Sequence, residues 1–448
     1  MTKQTTFHFI TLGCPKNAID SSSMIQLLER DGYQFISTPK KADVIIVNTC
    51  GFIESAREES YNVLHKLARS KQSDQLLIAA GCLTERYGAE VAKRIPGVDG
   101  ILGTRHWMEI TGTVRNLRKN ISKNPAIELV PQNPVSYLCG LDENHEPLRI
   151  SMAGSSTYLK IADGCRRPCA FCGIPLIKGT LVSRPMSSIL EEAEIIQEKG
   201  ARELILVAQD TTDYGSDLGM KDGLAQLLEM LAKKLHDLDW IRTMYAYPGF
   251  ITDHLIDVMA SFPQILPYVD IPLQHAHPAT LQRMRRPSNV GRVRKMFQKI
   301  RSKLPGVSIR TTFIVGYPGE TEEEFQTLLD FVEEMRFDRV GAFKFSFEPG
   351  TFSESLGDPI PPSLKEERYQ KLMESQQTIS LQINQSFVGK TLDVLVEGYN
   401  HGISVGRSYR DAPEIDGLVL VEGKLTPGKI VPVRITGAMV YDLTGIPA

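Results

Sequence analysis

The sequence lacks the marks of several protein classes. No run of about 18 uncharged apolar residues occurs, so no membrane-spanning helix is expected. The first residues, MTKQTTFHFITLGCPKN, hold no long apolar stretch and no small-residue cleavage site; no secretory leader is read, and a cytoplasmic protein is expected. There is no excess of positive charge, since 51 Lys and Arg stand against 53 Asp and Glu for a net charge of -2. A protein that grips nucleic acid mainly through phosphates carries a visible basic excess, which disfavours that class. Internal repeats, a P-loop and H-E-x-x-H are all missing.

What is present is a chain of 448 residues, long enough for two to four domains at roughly 100–200 residues each. Its seven cysteines are odd in number, and in a reducing compartment metal binding or catalysis is a better expectation than disulfides.

Pattern divides the chain into three regions. Residues 5–120 alternate apolar runs (Thr6–Leu12, Val44–Asn48, Leu76–Ala80) with helical spacing, which predicts a doubly wound parallel sheet. Residues 121–155, interrupted by Pro125, Pro131, Pro134 and Pro147, read as a linker. Residues 156–377 offer six strand candidates: Thr157–Ile161, Glu203–Ala208, Ile241–Tyr245, Tyr268–Pro272, Ser308–Val315 and Arg339–Ser346. Six strand–helix units predict a partial, open (β/α)6 TIM-like barrel, with its active site at the C-terminal strand ends. Residues 379–448 carry five short period-2 strands with glycine-containing turns, which predicts a small OB-like β-barrel. The expected fold class is therefore α/β, with a third, all-β unit at the end.

The sharpest motif is Cys165-x-x-x-Cys169-x-x-Cys172, in the loop after the first barrel strand. Three thiolates can hold three irons of a 4Fe–4S cube, which normally takes four. The iron left open can bind S-adenosylmethionine (SAM), from which radical chemistry starts. A zinc knuckle is the competing reading, but zinc sites prefer paired Cys-x-x-Cys units or Cys/His sets. Phe171, between two of the ligands, is expected beside the cluster or the adenine. Cys14, Cys50 and Cys82 each follow a strand of the first sheet, and the ends of such strands converge on one crevice. They are expected to hold a second 4Fe–4S cluster, also with one open iron. Gly13, Gly51 and Gly81 adjoin them and suggest close approach of backbone to a bulky ligand. Cys139, in the linker, reads as a free thiol. On the barrel rim, Gln209 and Asp210 could hold the polar groups of SAM, and Gly316 could let its adenine or ribose lie against backbone. Gln274 and His275 end the fourth strand, where a cavity-facing role and a structural one are both open.

These cysteine motifs, with TLGCPKNAIDSSSM, VIIVNTCGFIESAREES, YLKIADGCRRPCAFCGIP and GRSYRDAPEIDG, make the chain resemble the radical-SAM methylthiotransferases over nearly its whole length. The resemblance implies an N-terminal cluster domain, a radical-SAM barrel and a C-terminal TRAM domain. It further implies that SAM on the Cys165 cluster yields a deoxyadenosyl radical, and that the Cys14 cluster holds the sulfur that is methylated and transferred. GRSYRDAPEIDG is closest to the branch of the family that methylthiolates an aspartate β-carbon of a small-subunit ribosomal protein. The alternatives are methylthiolation of a tRNA adenosine and a non-catalytic iron–sulfur sensor. An electron donor such as flavodoxin or ferredoxin, a sulfur donor and a monomeric state go with the same resemblance. Gly173 and Lys178 depart from the family pattern and put local contacts in doubt. The last region has six basic and seven acidic residues, and Asp411, Glu414 and Asp416 are expected to form an acidic turn facing basic protein.

Overall fold

The computed structural model describes residues 4–120, 128–129 and 152–448, so Cys139 and the linker prolines lie outside the described residues. Apolar runs like those of the first region are stable only where both faces of a sheet are covered. Val44–Thr49 and Leu76–Gly81 are accordingly buried along their whole lengths. They form the centre of a six-stranded sheet ordered Gln34–Phe35, Thr6–Thr11, Val44–Thr49, Leu76–Gly81, Gly100–Gly103 and Glu128–Leu129, parallel throughout. Alternate residues feed two cores. Phe7, Val44, Ile46 and Ile78 pack on helices Pro15–Arg30 and Ile110–Asn120, whereas Ile45, Val47, Leu77 and Ala79 pack on Glu54–Ser70 and Cys82–Arg94. The sheet is doubly wound, as expected. Strand order reverses between Thr6–Thr11 and Val44–Thr49, which opens a crevice at their C-terminal ends.

The central region has the six expected parallel strands, at Ser156–Lys160, Glu203–Val207, Trp240–Thr243, Tyr268–Asp270, Ser308–Val315 and Arg339–Lys344. They form two sheets of an open barrel, bridged where Ile241 meets Ile265. Helices such as Val290–Lys303 and Glu322–Met335 pack on its outer face. A capping box of Thr321 and Glu324 starts the latter.

One helix, Pro362–Gln385, runs through residues 377–379, where the sequence reading set a domain border. No Gly or Pro interrupts it after Pro362, and the last domain begins beyond Gly389. That domain is a closed five-stranded barrel, ordered Thr391–Asn400, Ile403–Ser408, Val419–Glu422, Leu443–Pro447 and Ile430–Ala438.

The small barrel is docked on the large one through buried charge. Glu203 accepts from Arg242 Nε at 2.7 Å and from Arg407 Nη2 at 2.7 Å, with all three side chains at most 1% exposed. Burial pushes the Glu203 carboxyl up, but the two arginines outweigh it and hold it down at about 2. The expected acidic turn is overturned here. Asp411 is buried and accepts from Arg339 at 2.7 Å. Asp416 accepts from the Tyr268 hydroxyl at 2.7 Å and from the Ala412 N–H at 2.9 Å. Only Glu414 faces solvent. Two acids that composition assigned to a partner are joints between the protein's own domains.

Candidate active site

Each cysteine of the first triplet is placed by a strand end. Cys14 caps helix Pro15–Arg30, which starts with Pro at its first turn, and Cys82 is the first residue of helix Cys82–Arg94. The Cys50 N–H donates to Ser60 Oγ at 3.1 Å, and the same hydroxyl donates to the Cys50 carbonyl at 2.9 Å. A Cβ on Gly13 would stand 2.8 Å from Cys50 Cβ, so the Cys14 loop lies directly against Cys50. Gly81, at φ +104, has no space either: a Cβ there would be 2.5 Å from the Thr49 carbonyl oxygen. A Cβ on Gly51 would be 2.6 Å from Leu83 Cα. Close backbone packing accounts for Gly51, backbone and the Asn48 side chain crowd Gly81, and Gly13 leaves room for the Cys50 side chain, whose Sγ would stand 3.0 Å from a Cβ there.

The second triplet lies in the first loop of the barrel. The Arg167 N–H donates to Cys165 Sγ at 3.4 Å, and Arg286 Nη1 donates to Cys169 Sγ at 3.4 Å. Both arginines lie over the ring of Tyr247, at 4.7 and 4.1 Å from its centroid. Both triplets line one cavity of about 430 Å³ between the N-terminal domain and the barrel. Its remaining walls include Phe52, Phe171, Ile174, Ile177 and Phe343.

Burial pushes the thiols of Cys82 and Cys172 up to about 12 and that of Cys165 up to about 11. Cys82 also feels the charge of Cys14 and Cys50, and Cys172 that of Cys169 and Cys165. Each triplet is thus one electrostatic group of soft donors, which suits iron–sulfur ligation. Such thiols hold their protons until a metal displaces them. Among the described residues no three His, Cys, Asp or Glu are gathered as the ligands of a single ion. A cube spreads its thiolates over three irons and asks for a wider set.

Of the rim residues expected from sequence, Phe171, Gln209 and Asp210 line the cavity. Gln209 Nε2 donates to Asp163 at 2.9 Å, while its Oε1 is buried with no hydrogen-bond partner. Asp210 is already engaged, by Arg167 Nε at 2.6 Å and by the Thr212 N–H at 3.0 Å and hydroxyl at 2.5 Å. Gly316 is elsewhere: its N–H donates to Glu320 at 3.0 Å, and a Cβ would meet Lys365 at 2.4 Å. The fourth strand divides its two candidates. Gln274 lines the cavity with an unpartnered Oε1, at a φ of 77°. His275 is buried away from it and accepts the His277 N–H at 3.0 Å.

The sequence reading missed Lys16, Arg167, Tyr245, Tyr247 and Arg286, all cavity-lining. Lys16 and Arg167 stand inside the two cysteine motifs, each two residues beyond a cluster cysteine, and that proximity was the signal that could have found them; Tyr245, Tyr247 and Arg286 lie far from any cysteine in sequence. Lys178 has a clear role. Its ammonium donates to Asp20 at 3.0 Å, Asp163 at 3.2 Å and Thr104 Oγ1 at 2.7 Å, and Lys160 joins the same two acids at 2.6 and 3.0 Å. This buried quartet ties the N-terminal domain to the barrel at the wall of the cavity.

Comparison with known proteins agrees with this layout. Residues 6–103 match the uncharacterized protein family UPF0004, residues 159–332 the radical SAM superfamily, and residues 388–447 the TRAM domain. The fold resembles that of the radical SAM methyltransferase TsrM from Kitasatospora setae, with a TM-score of 0.56 and 13% identity over 88% of this chain and 81% of that one. Ribosomal protein uS12 methylthiotransferase RimO of Chloroflexus aurantiacus is 48% identical over 98% of this chain and 99% of its own length. RimO of Thermoanaerobacter is 44% identical over 97% of this chain and 98% of its own. Similarity of that degree, end to end, means that the chain belongs to the RimO family of radical SAM methylthiotransferases.

Proposed function

We propose that the protein adds a methylthio group to the β-carbon of an aspartate in ribosomal protein uS12. The observation that carries this reading is that two three-cysteine groups, on different domains, face one cavity. Cys165, Cys169 and Cys172 would hold one 4Fe–4S cluster, and Cys14, Cys50 and Cys82 the other. When bound, these clusters supply the electron that cleaves SAM and an iron to which the transferred sulfur attaches.

The chain's own residues do the rest. The hydrogen bonds from Arg286 and the Arg167 N–H lie on sulfurs of the barrel triplet and stabilise negative charge there. Asp210 holds Arg167 in place, and is a positioning residue in this reading, not a SAM ligand. Gln209 and Gln274 offer the free acceptors a SAM ammonium needs. Phe171, Ile174 and Ile177 keep water from the reacting carbon.

An electron donor of the flavodoxin or ferredoxin kind and a sulfur donor complete the reaction, and the enzyme acts as a monomer in the cytoplasm. No described helix is long and apolar enough to cross a membrane. The test is reconstituted enzyme with SAM, reductant and uS12, free or in the small subunit, read by peptide mass spectrometry. A methylthio group on one aspartate is expected. Modification of a tRNA adenosine with uS12 untouched would overturn the reading.

A further inference from the structure

Four cations line the cavity: Lys16, Arg167, Lys178 and Arg286. Three are occupied. Arg167 is bound to Asp210 at 2.6 Å and lies 3.5 Å from Asp213. Lys178 is held by Asp20, Asp163 and Thr104. Arg286 donates to the Pro272 carbonyl and to Cys169 Sγ. Among the described residues, no carboxylate lies within ion-pair distance of Lys16. Its ammonium rests on the face of Tyr245, 3.6 Å from the ring centroid. A ring face satisfies charge but accepts none of the three N–H donors in the way an oxygen does.

The ring is held on purpose-built backbone. Tyr245 sits at φ 63°, a conformation that an aromatic residue adopts only when its surroundings impose it. Its N–H donates to Asp270 at 3.1 Å, and its carbonyl accepts the Thr211 N–H at 3.1 Å. Lys16 lies two residues beyond Cys14 and its support lies just past the end of a barrel strand, so the ammonium sits in the cavity that both cysteine groups line.

We propose that Lys16 binds the side-chain carboxylate of the target aspartate. That carboxylate is attached to the carbon that reacts, so pairing with it fixes the β-carbon in the cavity. The inference rests on the function proposed above and names the contact that selects an acid over a neutral side chain.

The test uses reconstituted holoenzyme with uS12 and with uS12 carrying Asn in place of the target aspartate. Parent, Lys16→Met and Lys16→Arg enzymes are compared by methylthio product formed per deoxyadenosine released. For Lys16→Met this ratio should fall about 10- to 100-fold with the aspartate substrate, as expected for loss of a charged hydrogen bond. The parent's preference for Asp over Asn should shrink by a similar factor, and Lys16→Arg should keep most of it. Iron content in each variant reports whether both cysteine groups still assemble, and Lys16→Gln, which removes the charge but keeps a polar chain, carries the test with the same expected losses if Lys16→Met loses iron. An Asp/Asn preference unchanged in Lys16→Met would overturn the proposal. So would a proportional fall of product and deoxyadenosine with a raised KM for SAM, which would make Lys16 a SAM contact. If the parent leaves uS12 unmodified, the functional reading itself fails and this proposal falls with it.

Discussion

Replacing Arg407 by Met tests whether buried charge holds the TRAM barrel on the catalytic barrel. Arg407 is 1% exposed and makes hydrogen bonds to Glu203 at 2.7 Å, Ser156 Oγ at 2.8 Å and the Asp411 carbonyl at 2.9 Å. The variant leaves Glu203 buried with Arg242 as its one remaining cation. Removing one partner of a buried ion pair typically costs about 3–5 kcal/mol. A half-exposed pair such as Lys344–Glu366, at 2.7 Å, is worth about 0–1 kcal/mol, so Lys344→Met is the internal control. Trp240 is paired in register with Glu203, so its fluorescence in a Trp107→Phe background follows this joint during urea unfolding. The pH dependence has a definite sign. Glu203 is held down at about 2, so its contribution is complete above its unfolded pKa of about 4.5 and is lost as pH falls toward 2. The gap between parent and Arg407→Met should be full at pH 7 and narrow below pH 4.5. A loss under about 1 kcal/mol at pH 7, equal to that of Lys344→Met, would refute the joint.

Three further outcomes follow from the cysteine groups and the strand end beside them. Changing Cys165, Cys169 and Cys172 together to Ala should leave about half the iron and abolish SAM cleavage, because reduction of SAM belongs to the barrel cluster. The same change at Cys14, Cys50 and Cys82 should also leave about half the iron but stop methylthio transfer while deoxyadenosine still forms; complete loss of iron from a folded variant would contradict two independent clusters. Gly81→Ala should destabilise the N-terminal domain by about 1–3 kcal/mol, since φ is +104 and the new Cβ would meet Thr49 and Asn48, and a stable variant with full iron would show that the strand end can relax.

The parts of the fold that were legible in the sequence repeat a local rule. Val44–Thr49 and Leu76–Gly81 are buried on both faces and read as unbroken apolar runs, and the period-2 strands of the last barrel read as alternation. Gln34–Phe35 and Gly100–Gly103 were not legible, because two residues, or a glycine at each end, carry no period. Cys165, Cys169 and Cys172 were legible from their spacing, and Cys14, Cys50 and Cys82 because each follows a strand end and parallel strands share one such end. Lys16, Tyr245 and Arg286 were not, because each comes to the cavity from a different part of the chain, and nothing local marks a side chain that matters through a distant neighbour.

Gly173 and Lys178 show how a departure from a family pattern becomes intelligible once the domains are assembled. A Cβ on Gly173 would stand 3.0 Å from Arg86 Nη1. Arg86 donates from that position to Glu348 at 2.9 Å, and Arg57 reaches the same carboxylate at 2.5 Å. Glycine at 173 therefore leaves room for a guanidinium of the N-terminal domain to reach the last loop of the barrel. Lys178 makes the second link, through Asp20 and Thr104. The Arg86 clasp (the rim clasp) adjoins Gly173, next to Cys172, and the Lys178 clasp (the lower clasp) sits at the cavity wall, so two links set the separation of the two cysteine groups. If that is their work, Gly173→Leu should displace Arg86 and weaken the rim clasp alone. Methylthio product per deoxyadenosine should then fall while both clusters still assemble, because sulfur and carbon radical must meet across a gap the enzyme no longer sets. A Gly173→Leu enzyme with the parent's ratio would mean that the lower clasp suffices to hold the domains in register.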